Sequence, residues 1–334
     1  MKKKEKKEKS KEALDILLAA VDKQFGKGAI TTLDHQAPFI AENVIDSGSI
    51  GLNAALGVGG YPRGRMVEIW GAESSGKTTL CLHAIASEQR KGNTCAFIDT
   101  EHALDAQYAE QLGVDISKLL VSQPNCGEEA LEIADMMARS GAVSLAILDS
   151  IAALVCRAEL DGEMGDSHIG LQARLMSQAC RKLVPTLKQS KMCLIFTNQT
   201  RANIGVMYGS NVTVTGGNAL KFYASQRLNI RRTGKADQKE NIGNQTKVKV
   251  VKNKVASPFR EADFRIIFGK GIDPLAEILD LSEIDGLIKK SGPWYRYEDI
   301  GIGQGKENTI SYLKDNPELT DKLRKQILEN RGLA

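Results

Sequence analysis

Residues Gly71–Thr78 read GAESSGKT, preceded by a strand-like apolar run, Met66–Trp70, and followed by a helix-like one, Thr79–Gln89. A strand, a Gly-rich loop and a helix in this order make a phosphate cradle. Gly71 and Gly76 permit tight turning, so backbone N–H groups along Ala72, Glu73, Ser74 and Ser75 and the positive end of the helix converge on a polyphosphate. Lys77 adds a point charge for the β and γ phosphates, Thr78 a hydroxyl for Mg²⁺, and Thr79 completes the nucleotide-binding set. A loop of this kind requires a parallel α/β sheet to carry it.

The rest of the chain supplies such a sheet. Strand-like runs at Thr94–Asp99, Leu145–Asp149 and Met192–Asn198 alternate with helical segments, which predicts parallel strands with helices packed around them. Runs at Phe222–Arg232, Lys247–Lys252 and Arg265–Phe268, separated by polar Gly-containing turns, predict antiparallel strands extending the same sheet. After the Lys-rich opening, Ala13, Leu14, Leu17, Leu18, Val21 and Phe25 recur at helical spacing, which predicts a short amphipathic helix ending near Gly26. Such a helix must dock on its own core or on a neighbouring subunit. Beyond Gly271 short helical pieces are expected, with Trp294 and Tyr295 in a Gly/Pro-containing loop and a charged helix at Leu319–Asn330. The resulting division is 1–38 for an N-terminal segment, 39–270 for the core and 271–334 for a small α/β C-terminal domain.

Carboxylates at strand ends mark the chemistry. Asp149 ends an apolar strand where phosphate-loop proteins place the acid on the Mg²⁺ side, and an Asp there is also ordinary turn chemistry. Asp99 and Glu101 end another strand, in the crevice where open sheets bind ligands. Glu101 is the candidate base for a water attacking the γ-phosphate, Asp99 the weaker candidate, and a solvated loop acid the alternative. Gln199 ends a third strand, where a neutral amide bonds a terminal phosphate and releases it after hydrolysis, moving the attached loop. Two Gly-rich loops follow, Glu159–Gly170 and Thr200–Gly217, expected to be mobile without a ligand. Arg174 and Arg181 beside the first, and Arg201 in the second, either meet nucleic-acid phosphates or are surface charges. The four scattered histidines suggest neither a metal cage nor a nucleophilic triad.

Bulk properties exclude some classes. The net charge of +4 is too small to argue for a nucleic-acid partner by itself. Six cysteines lie far apart without a C-x-x-C pair, the pattern of buried reduced thiols. With no membrane-length apolar stretch and no secretory apolar core at the start, the expected location is the cytoplasm.

Longer runs carry a resemblance: GLNAALGVGGYPRGRMVEIWGAESSGKTTL from Gly51, FIDTEHALD from Phe97, LDSIAAL from Leu148, GDSHIGLQARLMSQACRKL from Gly165, GGNALKFYAS from Gly216 and VKNKVASPF from Val251. Over nearly its whole length the chain resembles the bacterial RecA family of DNA strand-exchange recombinases. The resemblance implies a RecA-like P-loop NTPase core with a mixed, mainly parallel sheet, an N-terminal helix docking on an adjacent subunit, and a small C-terminal domain. It implies ATP and Mg²⁺ as cofactors, with Glu101 as base, Asp149 on the Mg²⁺ side, and Gln199 as the switch reporting the γ-phosphate to the DNA loop. Asp105 and Tyr108 then flank the adenine, and Lys252 and Lys254 reach the neighbouring subunit's ATP. Phe222 becomes an interface anchor of an open helical filament. Arg174, Ser177, Arg181, Arg201, Gly216, Gly217 and Asn218 match positions that contact DNA phosphates. The implied partners are single-stranded DNA, double-stranded DNA, further copies of the chain, and LexA-type repressors cleaved in response to the filament.

The chain departs from the family pattern in places. Ala72 replaces a usual Pro, Asn203 a common Lys, and SNVTVTGG from Ser210 a stretch that usually holds a Pro and a Glu. It reads to Ala334 without the acidic tail of many relatives, from which less restraint on duplex loading is expected. A ring helicase or a filament-regulating paralogue fits less well, and a non-enzymatic scaffold would be a second role beside the ATPase.

Overall fold

A computed structural model describes residues 2–26, 29–30, 43–163, 166–168, 170–202, 212–236 and 242–333. Its contacts separate Met1–Ile40 from Ala41–Ala334. The first unit holds α1 (Lys2–Phe25), which begins at the second residue, so the Lys-rich opening belongs to the helix instead of preceding it. Lys and Glu, which dominate that opening, are both good helix formers.

The second unit opens with β1 (Val44–Ile45), α2 (Ile50–Leu56) and β2 (Tyr61–Pro62), the two strands pairing antiparallel. The phosphate-loop motif joins β3 (Met66–Gly71) to α3 (Lys77–Arg90). β4 (Cys95–Asp99), α4 (Ala106–Gln111), β5 (Leu120–Ser122), α5 (Gly127–Ser140) and β6 (Leu145–Asp149) follow. Next come α6 (Arg157–Leu160), α7 (Leu171–Ser190), β7 (Cys193–Ala202), β8 (Val212–Val214) and α8 (Ala219–Tyr223). β9 (Gln226–Lys235), β10 (Gly243–Asn253), β11 (Glu261–Ile267) and β12 (Gly271–Ile272) complete a ten-stranded sheet. Its order is β12-β11-β10-β9-β3-β7-β6-β4-β5, with β8 paired to β7 alone.

The six strands from β9 through β5 are parallel, and β9 to β12 run antiparallel to one another in turn. Parallel strands are buried on both faces, which is why β4 and β6 read as unbroken apolar runs ending in Asp. Alternate residues split between two clusters. Val67, Ile69, Phe97, Ile147, Ile195 and Leu228 face α3, while Met66, Ile98, Leu148, Leu194 and Phe196 face α5 and α7. Parallel registry places Gly71 beside Gln199 and Asp99 beside Asp149, so the strand ends that carry the candidate chemistry share one edge.

Two expectations are corrected. The segment Phe222–Arg232 is not strand throughout: α8 ends at Tyr223 and the strand starts at Gln226. The C-terminal part has the expected α/β make-up, with helices α9 (Pro274–Ile284), α10 (Lys306–Asp315) and α11 (Pro317–Asn330) beside a small sheet, but the loop expected around Trp294 is part of that sheet. Its strands are β13 (Ile288–Ser291), β14 (Trp294–Tyr297) and β15 (Ile300–Gln304), paired antiparallel. Trp294 and Tyr295 therefore lie in a strand, where Trp294 and Arg296 face out and Tyr295 and Tyr297 face in. That period of two is a strand signal, and the adjacent Gly292 (φ 56°) and Pro293 form the hairpin turn. All six cysteines are buried and free.

The C-terminal part has its own apolar cluster, from Ile278 to Ile327, and polar bonds fasten it to the core. Glu277 of α9 is buried and accepts from the Ile50 and Gly51 N–H groups at the start of α2 (3.2 and 3.0 Å) and from the Ser49 hydroxyl. Burial raises its pKa, and these donors pull it back. Replacing Glu277 by Ala strands those donors away from water. The expected loss is on the order of 3 kcal/mol, read as a lower urea midpoint with an unchanged slope.

Candidate active site

The loop after β3 keeps its shape because two positions admit no side chain. A Cβ on Gly71 would meet the Ile230 carbonyl oxygen at 2.1 Å, and one on Gly76, at φ 101°, would meet Ile266 Cδ1 at 2.5 Å. Gly76 also caps α3 without a side-chain bond, so the first N–H groups of the helix face the loop. Lys77 folds back over it, with Nζ donating to the Ala72 and Gly71 carbonyls (2.9 and 3.3 Å). Burial lowers the Lys77 pKa, opposed by the charges of Asp149 and Glu101. Ser75 Oγ is buried in the same loop with no hydrogen-bond partner. Open helix N–H groups, a partnerless buried hydroxyl and a cation suit an anion with several acceptor oxygens.

Asp149 is buried at the end of β6, with Oδ2 accepting from Thr78 Oγ1 (2.7 Å) and Oδ1 from Thr197 Oγ1 (2.5 Å). Its pKa is raised, chiefly by burial, against the pull of these two hydroxyls. Thr78 and Asp149 together form an all-oxygen corner, the chemistry a hard cation such as Mg²⁺ takes. Glu101 Oε1 accepts from Ser150 Oγ and from Gln199 Nε2 (3.0 Å). Asp99 is occupied otherwise. Its carboxylate accepts from the Ala103 and Leu104 N–H groups and from Gln123 Nε2, and it does not line the pocket.

Loop residues Glu73–Thr79 line that pocket with Glu101, Tyr108, Asp149 and Gln199. Tyr108 OH lies 2.9 Å from Thr79 Oγ1, and burial raises its pKa against that bond. Asp105 stands aside as the N-cap of α4, accepting from the Gln107 and Tyr108 N–H groups. Sequence reasoning missed the opposite wall: Asn244 and Thr246 of β10, with Ile266 and Phe268 of the β11 end. Phe268 is an aromatic at a strand end, 53% exposed, the one signal that could have found this wall. Ser150 and Thr197 were missed too, because their importance comes only from touching Glu101 and Asp149.

The other candidates lie elsewhere. Lys252 Nζ donates to the Lys221 and Phe222 carbonyls and Lys254 Nζ to the Phe222 carbonyl (3.0 Å), outside the pocket. Burial, with Lys254 and Arg227 near, lowers the Lys252 pKa to about 8. Phe222 is 71% exposed. On α7, Arg174 and Arg181 are exposed and Ser177 half-buried, on the side away from Met176, Cys180 and Leu183. The two ends of the second loop form a ribbon in which Thr200 pairs with Val214 and Arg201 with Thr213. Gly216 (φ 78°) is buried against Ile151, while Gly217 (φ 73°) and Asn218 are exposed beside α7. Asn203 and Ser210 lie outside the described residues.

Comparison with known proteins bears on this arrangement. The pattern of the RecA N-terminal domain matches residues 12–273, and that of the RecA C-terminal domain residues 276–332. The chain belongs to the RecA family. It is 58% identical over 323 residues to Protein RecA of Nocardioides sp., covering 96% of this chain and 92% of that one. Protein RecA of Acidiphilium cryptum is 56% identical over 328 residues, 98% of this chain and 95% of the relative. Among solved structures the RadB recombinase aligns with a TM-score of 0.53 and 22% identity, over 69% of this chain and 98% of that one, a likeness of fold. No helix among the described residues is long and apolar enough to cross a membrane.

Thr197→Val removes a donor from the Asp149 carboxylate, so its raised pKa should rise further. The pH below which Mg²⁺-dependent nucleotide binding fails should then move upward, with binding at alkaline pH retained, as a titration with a fluorescent ATP analogue would show.

Proposed function

We propose that this RecA-family chain is a DNA-dependent ATPase that polymerises on single-stranded DNA, pairs it with homologous duplex and promotes strand exchange in recombinational repair. The observation that carries the reading is the bond from Gln199 to Glu101: the strand that brings an amide to the candidate base continues directly into the second Gly-rich loop.

ATP lies in the loop pocket, with Lys77 against the β and γ phosphates and Asp105 and Tyr108 on the adenine side. Thr78 and Asp149 would hold Mg²⁺, which would supply positive charge against the phosphate oxygens. Glu101 is the base. Ser150 and Gln199 both bond its Oε1, which leaves Oε2 for the proton of the attacking water. When a γ-phosphate competes for the Gln199 amide, that side chain leaves Glu101, and the loop beyond β7 feels the change. Lys252 and Lys254, turned away from the chain's own pocket, serve the ATP of the next subunit, and Phe222 anchors that contact.

Arg174, Ser177 and Arg181 on α7, with Arg201, Gly216, Gly217 and Asn218 of the second loop, hold DNA by its phosphates. Phosphate contacts leave base edges free, so pairing with an incoming duplex reads the sequence. The N-terminal segment 1–38 serves polymerisation, 39–270 the ATPase and DNA loops, and 271–334 forms the C-terminal domain. The filament works in the cytoplasm and also prompts self-cleavage of LexA-type repressors.

Glu101→Gln should keep ATP-dependent filaments on single-stranded DNA while turnover falls about 100-fold or more, measured by imaging and phosphate release. DNA binding that is equally tight without nucleotide contradicts the reading. Arg181→Ala should reduce the steepness of the salt dependence of single-stranded DNA binding by about 0.7, the share of one phosphate contact, in affinity titrations at several salt concentrations.

A further inference from the structure

Glu68 sits mid-strand in β3 with no exposed surface, on the face where Met66, Leu194 and Phe196 form an apolar cluster. The strand pattern calls for an apolar residue there, and a buried carboxylate costs desolvation unless its oxygens are used. Both are. Oε2 accepts from Arg227 Nε on neighbouring β9, and Oε1 accepts from Asn198 Nδ2 on the other neighbour, β7 (3.1 Å).

Asn198 is fully buried and its amide is used on every side. Nδ2 also donates to the Thr215 carbonyl (3.0 Å), while Oδ1 accepts from the Gln199 N–H (3.0 Å) and the Thr215 hydroxyl (2.6 Å). A reversed amide would set its oxygen against the Glu68 carboxylate and its NH₂ against the Gln199 N–H. The acceptor-only carboxylate, with the Thr215 carbonyl and the Gln199 N–H, selects one orientation. Asn198 in that orientation clasps Thr215, the last residue before the glycine pair of the second loop. Gly216 N–H in turn donates to Gln172 Oε1 (3.1 Å) at the start of α7, whose Nε2 holds the Ile151 and Leu154 carbonyls. On its other side Glu68 holds Arg227, which lies over the Trp70 ring at 5.9 Å and close enough to Lys252 to influence its charge.

We propose that Glu68 is a positioning residue: by orienting the Asn198 amide it couples Gln199 to the second loop at Thr215 and to the Arg227–Lys252 corner. The inference rests on the recombinase reading above. Glu68 touches neither nucleotide nor DNA; it makes the state of one legible to the other. In Glu68→Gln, the side-chain oxygen stays with Arg227, which has only donors, and an NH₂ replaces the acceptor facing Asn198. Two NH₂ groups then face each other, so the tie between β3 and the Asn198 amide is lost and its hold on the Gln199 N–H and on Thr215 weakens.

The test measures ATP turnover by the full-length protein, with and without single-stranded oligonucleotide, together with KM for ATP. Wild type should be stimulated by DNA. Glu68→Gln should keep DNA-free turnover and KM within about twofold and lose about tenfold or more of the stimulation. Stimulation of Glu68→Gln equal to wild type overturns the inference alone. So does a parallel loss of folding or of DNA-free turnover, since either assigns Glu68 a merely structural role. A wild type that DNA does not stimulate sinks the recombinase reading, and the inference with it.

Discussion

Parallel hydrogen bonding between neighbouring strands is the constraint on which the site depends. Residues level with one another in a parallel ladder end at the same edge, and the ladder places Gly71 beside Gln199 and Asp99 beside Asp149. From those ends a few residues of loop bring Lys77, Glu101 and Ser150 inward. Nothing local to any one of these segments could bring the Asp149 carboxylate within bonding distance of the Thr78 and Thr197 hydroxyls, or Glu101 within reach of Ser150 and Gln199. The ladder does so because each strand is locked by buried side chains on both faces.

Polar residues inside such a sheet must be satisfied by other polar residues, and the satisfied groups become connections. Asp149 draws in Thr78 and Thr197, and Glu68 draws in Arg227 and Asn198. Each bond removes a desolvation cost that would otherwise fall on the fold, and each also ties one strand end to another. A switch at the nucleotide needs such ties. A purely apolar interior would transmit only shape, whereas a hydrogen-bonded amide has two distinguishable orientations.

The same economy joins the C-terminal part to the core. Glu277 supplies the acceptors that the start of α2 lacks, and Arg265 bonds both Asp273 at the cap of α9 and Glu307 on α10. Both buried charges lie where two apolar clusters meet, which fixes the orientation of one cluster against the other more narrowly than apolar packing alone would.

Much of this was legible from the order of residues. The phosphate loop announced itself because its glycines are required by backbone geometry, a local property, and the buried parallel strands because two-sided burial leaves an unbroken apolar run. Within the C-terminal α/β domain the strand Trp294–Tyr297 was not read, since it follows a Gly-Pro turn and its alternation is only four residues long. The far wall of the pocket, Asn244, Thr246, Ile266 and Phe268, escaped as well, because antiparallel strands far downstream of the loop reach it only by sheet order. Sequence by itself determined which segments would be the buried parallel strands around the phosphate loop, which loop would bind phosphate and which acids stood at strand ends, because those follow from side-chain periodicity and backbone freedom. Tertiary structure alone decided that Glu101 and not Asp99 faces the pocket, and that Glu68 holds Asn198. Partners of a buried polar group are chosen by which strands lie side by side, and chain order carries no record of that.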